Sequence, residues 1–134
     1  MDNIYRVAMK AQVAELAEEL EEILAHIERE AVTSRMVYRS AERSLQLLTE
    51  ACIGIAKQSL KGAGKEVPAD ARKTFSKLRM LGMDPTGADW NKIIGMRNAL
   101  VHDYLNLDPD RVMEVIKNKH YQALLDFAEA RLAG

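Results

Sequence analysis

The sequence has 134 residues, which is enough to bury a hydrophobic core and short enough that a single domain is predicted over residues 1–134. Hydrophobic residues make up 48% of it and aromatic residues only 5%, so the core is predicted to be mainly aliphatic. A net charge of −1 argues against nucleic acid as a partner, but the charge is unevenly distributed. Residues 1–30 hold 3 basic and 8 acidic residues, whereas residues 31–80 hold 10 basic and 4 acidic ones, and such a basic segment can attract phosphate groups.

Several classes of protein are excluded by what the sequence lacks. No run approaches the roughly twenty apolar residues of a transmembrane helix, and the acidic residues from Glu15 to Glu22 interrupt any signal peptide. Cys52 is the single cysteine, so no internal disulfide is predicted. The sequence has no zinc-ligand pattern, so no bound metal is predicted. It also has no glycine-rich phosphate loop, so no cofactor is predicted. We therefore expect a cytoplasmic protein with no bound metal or cofactor.

Apolar residues recur at helical spacing and nowhere alternate with the period of a strand, which predicts an all-α fold. The first helix is predicted over residues 3–30, where an aliphatic stripe lies opposite a cluster of glutamates. The second begins after the capping hydroxyls of Thr33-Ser34 and continues to about residue 60, because two glycines follow. Its predicted core stripe consists of Val37, Ala41, Leu45, Leu48, Cys52, Ile55 and Ala56.

Three further helices are predicted in the second half of the chain. A short third helix begins at Pro68 and buries Ala71, Phe75, Leu78 and Leu81. The fourth, residues 88–105, follows the Asp84-Pro85 break and buries Trp90, Ile93, Ile94, Leu100 and Val101. The fifth, residues 109–132, begins at the Asp108-Pro109 pair, a good cap followed by a good first residue. Short connections between them predict an antiparallel bundle of about five helices.

The segment from Gly95 to Tyr104 carries the most chemistry in the sequence, because five different polar groups crowd into about two helical turns. Asn98 and His102 are four residues apart and share one face of a helix. Arg97 and His102 are five apart, which is about 140° around a regular helix. One straight helix cannot direct both at a small target. Either the last turn unwinds near His102, or a second copy of the chain supplies the other half.

Each of these residues also has an ordinary structural interpretation, such as a helix-dipole partner for His102, a salt bridge for Arg97 or an aromatic contact for Tyr104. Their combination favours function instead. A histidine titrates near neutral pH and can act as a general acid or base, and a guanidinium binds phosphate oxygens through parallel hydrogen bonds. We therefore assign His102 as the acid–base residue and Arg97 as the phosphate clamp, with Asn98 and Asp103 supporting them.

Arg97-Asn98, followed by His102 and Tyr104, resembles the Arg-x4-His-x-Tyr motif of the HepT-type toxins, a branch of the HEPN superfamily of all-helical ribonucleases. The resemblance covers about residues 33–132. The segments that support it are Glu42-Arg43, Phe75 to Leu78, Gly95-Met96-Arg97-Asn98 and Asp108-Pro109-Asp110.

The resemblance implies a HEPN-like homodimer that acts as a metal-independent endoribonuclease toxin, with the active cleft between the two protomers. In the HepT group the toxin is paired with a small nucleotidyltransferase antitoxin of the MntA type. That antitoxin transfers AMP to the motif tyrosine, so the resemblance implies Tyr104 as the modification site.

Two alternatives remain open beside this hypothesis. The chain resembles one component of a pair whose other component is a nucleotidyltransferase. The second candidate is therefore a non-catalytic helical subunit that binds nucleotide or substrate for such a partner. A purely structural dimerisation bundle is the third. A row of Arg35, Arg39 and Arg43 on the second helix can track an RNA backbone or receive an acidic antitoxin segment, and a solvated face explains it equally well.

Overall fold

Six helices make up the part of the chain that the computed structural model describes, residues 1–102 and 107–133. They are α1 (Asn3–Arg29), α2 (Arg35–Gly62), α3 (Ala71–Met80), α4 (Trp90–His102), α5 (Pro109–Lys117) and α6 (Gln122–Leu132). No strand occurs in these residues, so the all-α prediction is confirmed, with six helices in place of about five. None of the helices in the described part combines the length and apolar character that a membrane span needs.

Local capping explains where most helices begin. Ser34 accepts a hydrogen bond from the Val37 amide at 3.2 Å, and Asp108 accepts one from the Asp110 amide at 3.0 Å, as the sequence predicted. The third helix begins at Ala71 and not at Pro68, because the Asp70 carboxylate caps it through the Lys73 amide at 3.0 Å. The hydrogen bond from that amide also lowers the pKa of Asp70.

The predicted fifth helix is two helices, α5 and α6, and this corrects the sequence-based boundary of 109–132. Lys119 has φ +52°, and the amides of Lys119 and His120 donate to the carbonyls of Ile116 and Val115 at 3.1 and 3.0 Å. That pair of bonds is the Schellman motif, which ends a helix. Glycine normally occupies the left-handed position of this motif, as Gly64 does after α2. A lysine there gives no sequence signal.

α1 and α2 run antiparallel, as their contacts along the chain show. The Ser44 hydroxyl donates to the Glu19 carboxylate at 3.3 Å, and the Tyr5 hydroxyl lies 3.1 Å from the position that a Cβ on Gly54 would take. Higher residue numbers on α2 thus meet lower ones on α1. This pair forms the long side of the bundle.

α6 runs parallel to α2, so the bundle is not antiparallel throughout. The Cys52 thiol donates to the Leu124 carbonyl at 3.4 Å, and the Arg131 Nε donates to the Ser59 hydroxyl at 3.1 Å. Both residue numbers rise together along the two helices. The chain between α2 and α5 returns toward the end where α2 begins, which makes the parallel arrangement possible.

One hydrophobic cluster collects buried residues from all six helices. At its centre Phe75 stacks on Trp90 with ring centroids 3.8 Å apart, and Phe127 meets both rings edge-on. Two residues predicted to be buried are exposed: Leu81 is 39% exposed because it lies beyond the last turn of α3, and Val101 is 38% exposed. Four others are half-buried at the edge of the core: Val37, Ala71, Ile93 and Leu100. Val101 shares the face of Trp90 but lies three turns further along α4, where the other helices no longer cover it.

Candidate active site

The start of α4 is held by a buried carboxylate. The Asp84 side chain has 0% relative exposure, and its Oδ2 accepts hydrogen bonds from Trp90 Nε1 at 2.8 Å and Arg79 Nη2 at 2.9 Å. Its Oδ1 accepts from the Thr86 amide at 3.0 Å and the Thr86 hydroxyl at 2.7 Å. Burial alone would raise the pKa of Asp84, but these hydrogen bonds outweigh it and lower the pKa.

Sequence reasoning interpreted Asp84 only as part of a chain break and missed this role. The spacing Asp84-x-Thr86 is typical of an Asx turn, in which a carboxylate binds the backbone two residues on, and that was the available signal. Because Arg79 also donates to the Ala88 carbonyl, the same cluster joins α3 to the first turn of α4. The orientation of α4, and with it the position of the motif residues, depends on this cluster.

α4 is helical without interruption from Trp90 to His102. Arg97 and His102 therefore lie on one regular helix, about 140° apart around its axis. One alternative raised by the spacing was that the last turn unwinds near His102; α4 shows no unwinding up to His102, and the next four residues lie outside the described ones. The two side chains leave α4 on different sides.

Arg97 is half-buried and lies seven residues after the buried Trp90, on the side of α4 that packs against the bundle. Its Nε is buried and has no hydrogen-bond partner among residues 1–102 and 107–133. Buried polar groups normally have a hydrogen-bond partner. A buried guanidinium N–H without one can still donate to an acceptor. Arg97 is thus placed by packing, and the described residues leave its Nε without an acceptor.

His102 is the last residue of α4 and is exposed to solvent, whereas Asn98, one turn earlier on the same face, is half-buried. The structure brings Arg97, Asn98 and His102 onto one helix but does not bring Arg97 and His102 to one point. The predicted supporting residue Asp103 and the predicted modification site Tyr104 lie outside the described residues.

The predicted cationic row is exposed along the first turns of α2, at Arg35, Arg39 and Arg43. Tyr38 lies in the same turns, and burial followed by the nearby charges of Glu42 and Asp108 raises its pKa. Because Asp108 is close enough to affect the pKa of Tyr38, the start of α5 lies near the start of α2. His102 is only six residues before Asp108, a span of at most about 21 Å. The row thus lies near the start of α5, and His102 lies within about 21 Å of that start.

Another potential catalytic group, the thiol of Cys52, is part of the hydrophobic core. The Cys52 thiol is fully buried, and burial raises its pKa, so it is not a nucleophile in the folded protein. In the described ranges, 1–102 and 107–133, no three His, Cys, Asp or Glu side chains lie close enough together to hold a metal ion. The α4 residues remain as the candidate chemistry.

The sequence model of the "Ribonuclease HepT-like" family matches residues 13–131 of the chain. This chain belongs to the HepT-like ribonuclease family. The mRNA nuclease HepT of Shewanella oneidensis is 30% identical to it over 91 residues, which are 65% of this chain and 68% of that protein. The family implied by the motif and the ribonuclease class are thus confirmed.

Two solved structures share the fold of this HepT-like chain. The tri-AMPylated HEPN toxin of Shewanella oneidensis, in complex with its MNT antitoxin, gives a TM-score of 0.82 at 23% identity over 97% of both chains. A toxin–antitoxin complex with AMP-PNP gives a TM-score of 0.78 at 21% identity, over 98% of this chain and 99% of that one. Both likenesses extend over nearly the whole length, so the HEPN-type fold is confirmed.

Proposed function

We propose that this HepT-like chain is a metal-independent endoribonuclease toxin, and that it cleaves RNA at a site built from Arg97 of one protomer and His102 of another. The arrangement of α4 carries the proposal. Because the helix is regular through His102, Arg97 and His102 diverge by about 140° within one chain. A two-fold pairing of α4 helices can bring the guanidinium of each chain to the imidazole of the other.

The chemistry of these two groups suits cleavage of a ribose phosphodiester. A neutral imidazole of His102 can take the proton of the 2′-hydroxyl while the 2′-oxygen attacks phosphorus and the bond to the 5′-oxygen breaks. A protonated imidazole can return a proton to the departing 5′-oxygen. The Arg97 guanidinium stabilises the negative charge that develops on the phosphate, and its buried Nε has no acceptor among the residues that the structure describes. In this proposal Asn98 orients the imidazole or the phosphate and Asp103 supports the pair.

The composite site is tested by mixing two inactive variants. Arg97→Ala and His102→Ala are each expected to lower the rate of RNA cleavage at least about 100-fold. When both are made together by cell-free synthesis, half of the dimers contain one chain of each kind. Each mixed dimer has one site with both residues intact, so about a quarter of the parental activity is expected.

Controls make this test decisive. Lys92→Ala, an exposed substitution on the same helix, is expected to keep parental activity. Circular dichroism and size-exclusion chromatography must show that the variants fold and associate as the parent does. A mixture as inactive as its two components would contradict the composite site. Parental protein without RNA cleavage would contradict the nuclease itself and favour a subunit that only binds nucleotide or substrate.

We also propose a nucleotidyltransferase antitoxin of the MntA type as partner, with Tyr104 as the residue that receives AMP. Support comes from the HEPN toxin of similar fold, which is tri-AMPylated and bound to an MNT antitoxin. The phenol oxygen would attack the α-phosphate of ATP and release pyrophosphate, leaving an anion and an adenosine group that compete with RNA.

Intact mass spectrometry after co-expression with such an antitoxin tests this assignment. Added adenylate mass is expected on the parent and none on Tyr104→Phe. An unmodified parent, or equal masses added to both proteins, would count against Tyr104.

A further inference from the structure

Arg72 of α3 reaches across to α4 and lies against its backbone. Its Nη2 donates to the Asn91 carbonyl at 3.4 Å and lies 3.5 Å from the position that a Cβ on Gly95 would occupy. The residue is exposed, so the guanidinium is open to solvent on its other side. An arginine side chain thus covers the surface of α4 at a position where α4 has no side chain of its own.

The residues of α4 that Arg72 approaches lie on the same face of the helix as His102. Asn91, Gly95, Asn98 and His102 follow one another at intervals of four, three and four residues, which keeps them on one side of the helix. Arg97 leaves α4 on a different side. Within one protomer the arginine on the histidine face is therefore Arg72. Gly95 and His102 are seven residues apart, or about 10 Å along the axis.

The charge of Arg72 is not neutralised by an ion pair. Across the described ranges, no carboxylate lies within 4.0 Å of its guanidinium, and the single salt bridge there joins Arg79 to Asp84. Arg79, on the same helix, gives its donors to Asp84 and to the Ala88 carbonyl. Within the described residues, Arg72 donates only to the Asn91 carbonyl, at a long 3.4 Å. Its remaining N–H groups can bind a ligand.

An open groove of about 360 Å³ begins at this arginine and follows the junction of α3 and α4. Its walls include Ser76, Asp89, Trp90 and Asn91. The α4 residues among them belong to the first turn of that helix, so the groove extends from Arg72 away from His102, and Arg72 lies between the two. A cation placed between a polar groove and an acid–base residue can guide a single-stranded nucleic acid backbone from one to the other. Its distance from His102 is too large for the scissile phosphate and suits a phosphate further along the strand.

We propose that Arg72 forms a second phosphate-binding subsite, which holds the backbone of single-stranded RNA one or two nucleotides away from the bond cleaved at His102. This inference rests on the proposed ribonuclease function. It assigns the α3–α4 groove to the substrate strand and makes Arg72 a positioning residue. The ligand class is a backbone phosphodiester of RNA, recognised by charge and not by base identity.

Binding is measured in a His102→Ala background, so that the RNA is not cut. The probe is a fluorescein-labelled single-stranded RNA of about twelve nucleotides, followed by anisotropy at several salt concentrations. Arg72→Ala is expected to weaken binding about fivefold to tenfold and to reduce the slope of log K against log salt by about 0.7, the value for one phosphate contact on a single strand. Arg72→Lys, which keeps the charge, is expected to keep the slope.

Lys73→Ala is the matched control, because Lys73 is the exposed neighbour on α3 and loses the same charge. In the active background, Arg72→Ala is expected to lower kcat/KM on the long RNA while leaving cleavage of a dinucleoside monophosphate at the parental rate. Equal effects of Arg72→Ala and Lys73→Ala, or equal losses on both substrates, would overturn the subsite. A parent that binds but does not cleave RNA would overturn the nuclease, while the binding comparison still decides the role of Arg72.

Discussion

At the scale of single residues, the site depends on side chains that the motif does not contain. Arg97, Asn98 and His102 lie within six residues of one another and were predicted as site residues from the sequence alone. Asp84 and Arg72 were not found, because their roles arise from contacts between α3 and α4 that no local pattern encodes. A motif identifies the groups that do chemistry, whereas the groups that aim them come from the packing of distant segments.

The Asp84 cluster predicts a large and pH-dependent loss of stability in Asp84→Asn. An amide nitrogen must then face one of the two pairs of donors, so a buried hydrogen-bonding group loses its partner, which costs about 2–3 kcal/mol at pH 7. Because the pKa of Asp84 is lowered in the folded state, its stabilising contribution is complete above the unfolded pKa and is lost as the pH falls through the folded value. The difference between variant and parent should therefore shrink below about pH 4.

Urea unfolding at pH 7 and at pH 3 measures this difference. Asp89→Asn serves as the control, because exposed Asp89 caps α4 through the Lys92 amide at 3.2 Å and asparagine caps a helix equally well. A loss of stability of similar size in both variants would contradict the assigned role of Asp84.

At the scale of helices, local signals predicted most beginnings and two of the ends. Ser34 and Asp108 are recognisable caps, and the glycines after α2 and α3 occupy the left-handed positions that end those helices. The end of α5 was missed, because Lys119 occupies the same position in the same motif without the residue type that announces it. Val101, near the end of α4, was predicted to be buried and is exposed. Periodicity shows which face of a helix points inward, but not how far along the helix other elements cover that face.

Lys119→Gly is expected to stabilise the protein by about 0.5–1 kcal/mol. Relief of the left-handed conformation, which costs a non-glycine residue about 1–2 kcal/mol, exceeds the entropy that glycine adds to the unfolded chain. Lys117→Gly, in the last turn of α5, is expected to destabilise by a similar amount because its conformation is helical. Urea midpoints with unchanged m-values give both numbers. A urea midpoint for Lys119→Gly below that of the parent would contradict the strain assigned to Lys119.

At the scale of the whole molecule, a nearly neutral total conceals a division of charge. The acidic residues concentrate in α1, while the exposed row Arg35, Arg39 and Arg43 lies at the start of α2, and Arg72 lies against the face of α4 that carries His102. Electrostatic attraction of RNA depends on such local patches more than on net charge. The sequence shows the division by segment. Only the fold shows that Arg72 lies against the helix face that carries His102.

The burial of Cys52 has a practical consequence for experiments on this protein. Because the native thiol is enclosed by the core, a cysteine placed on the surface, for example by Lys92→Cys, would be the one position that reacts with a maleimide probe. No background substitution would be needed first. Spin labels attached in this way could report how two copies face each other, using the wild-type interior as it stands.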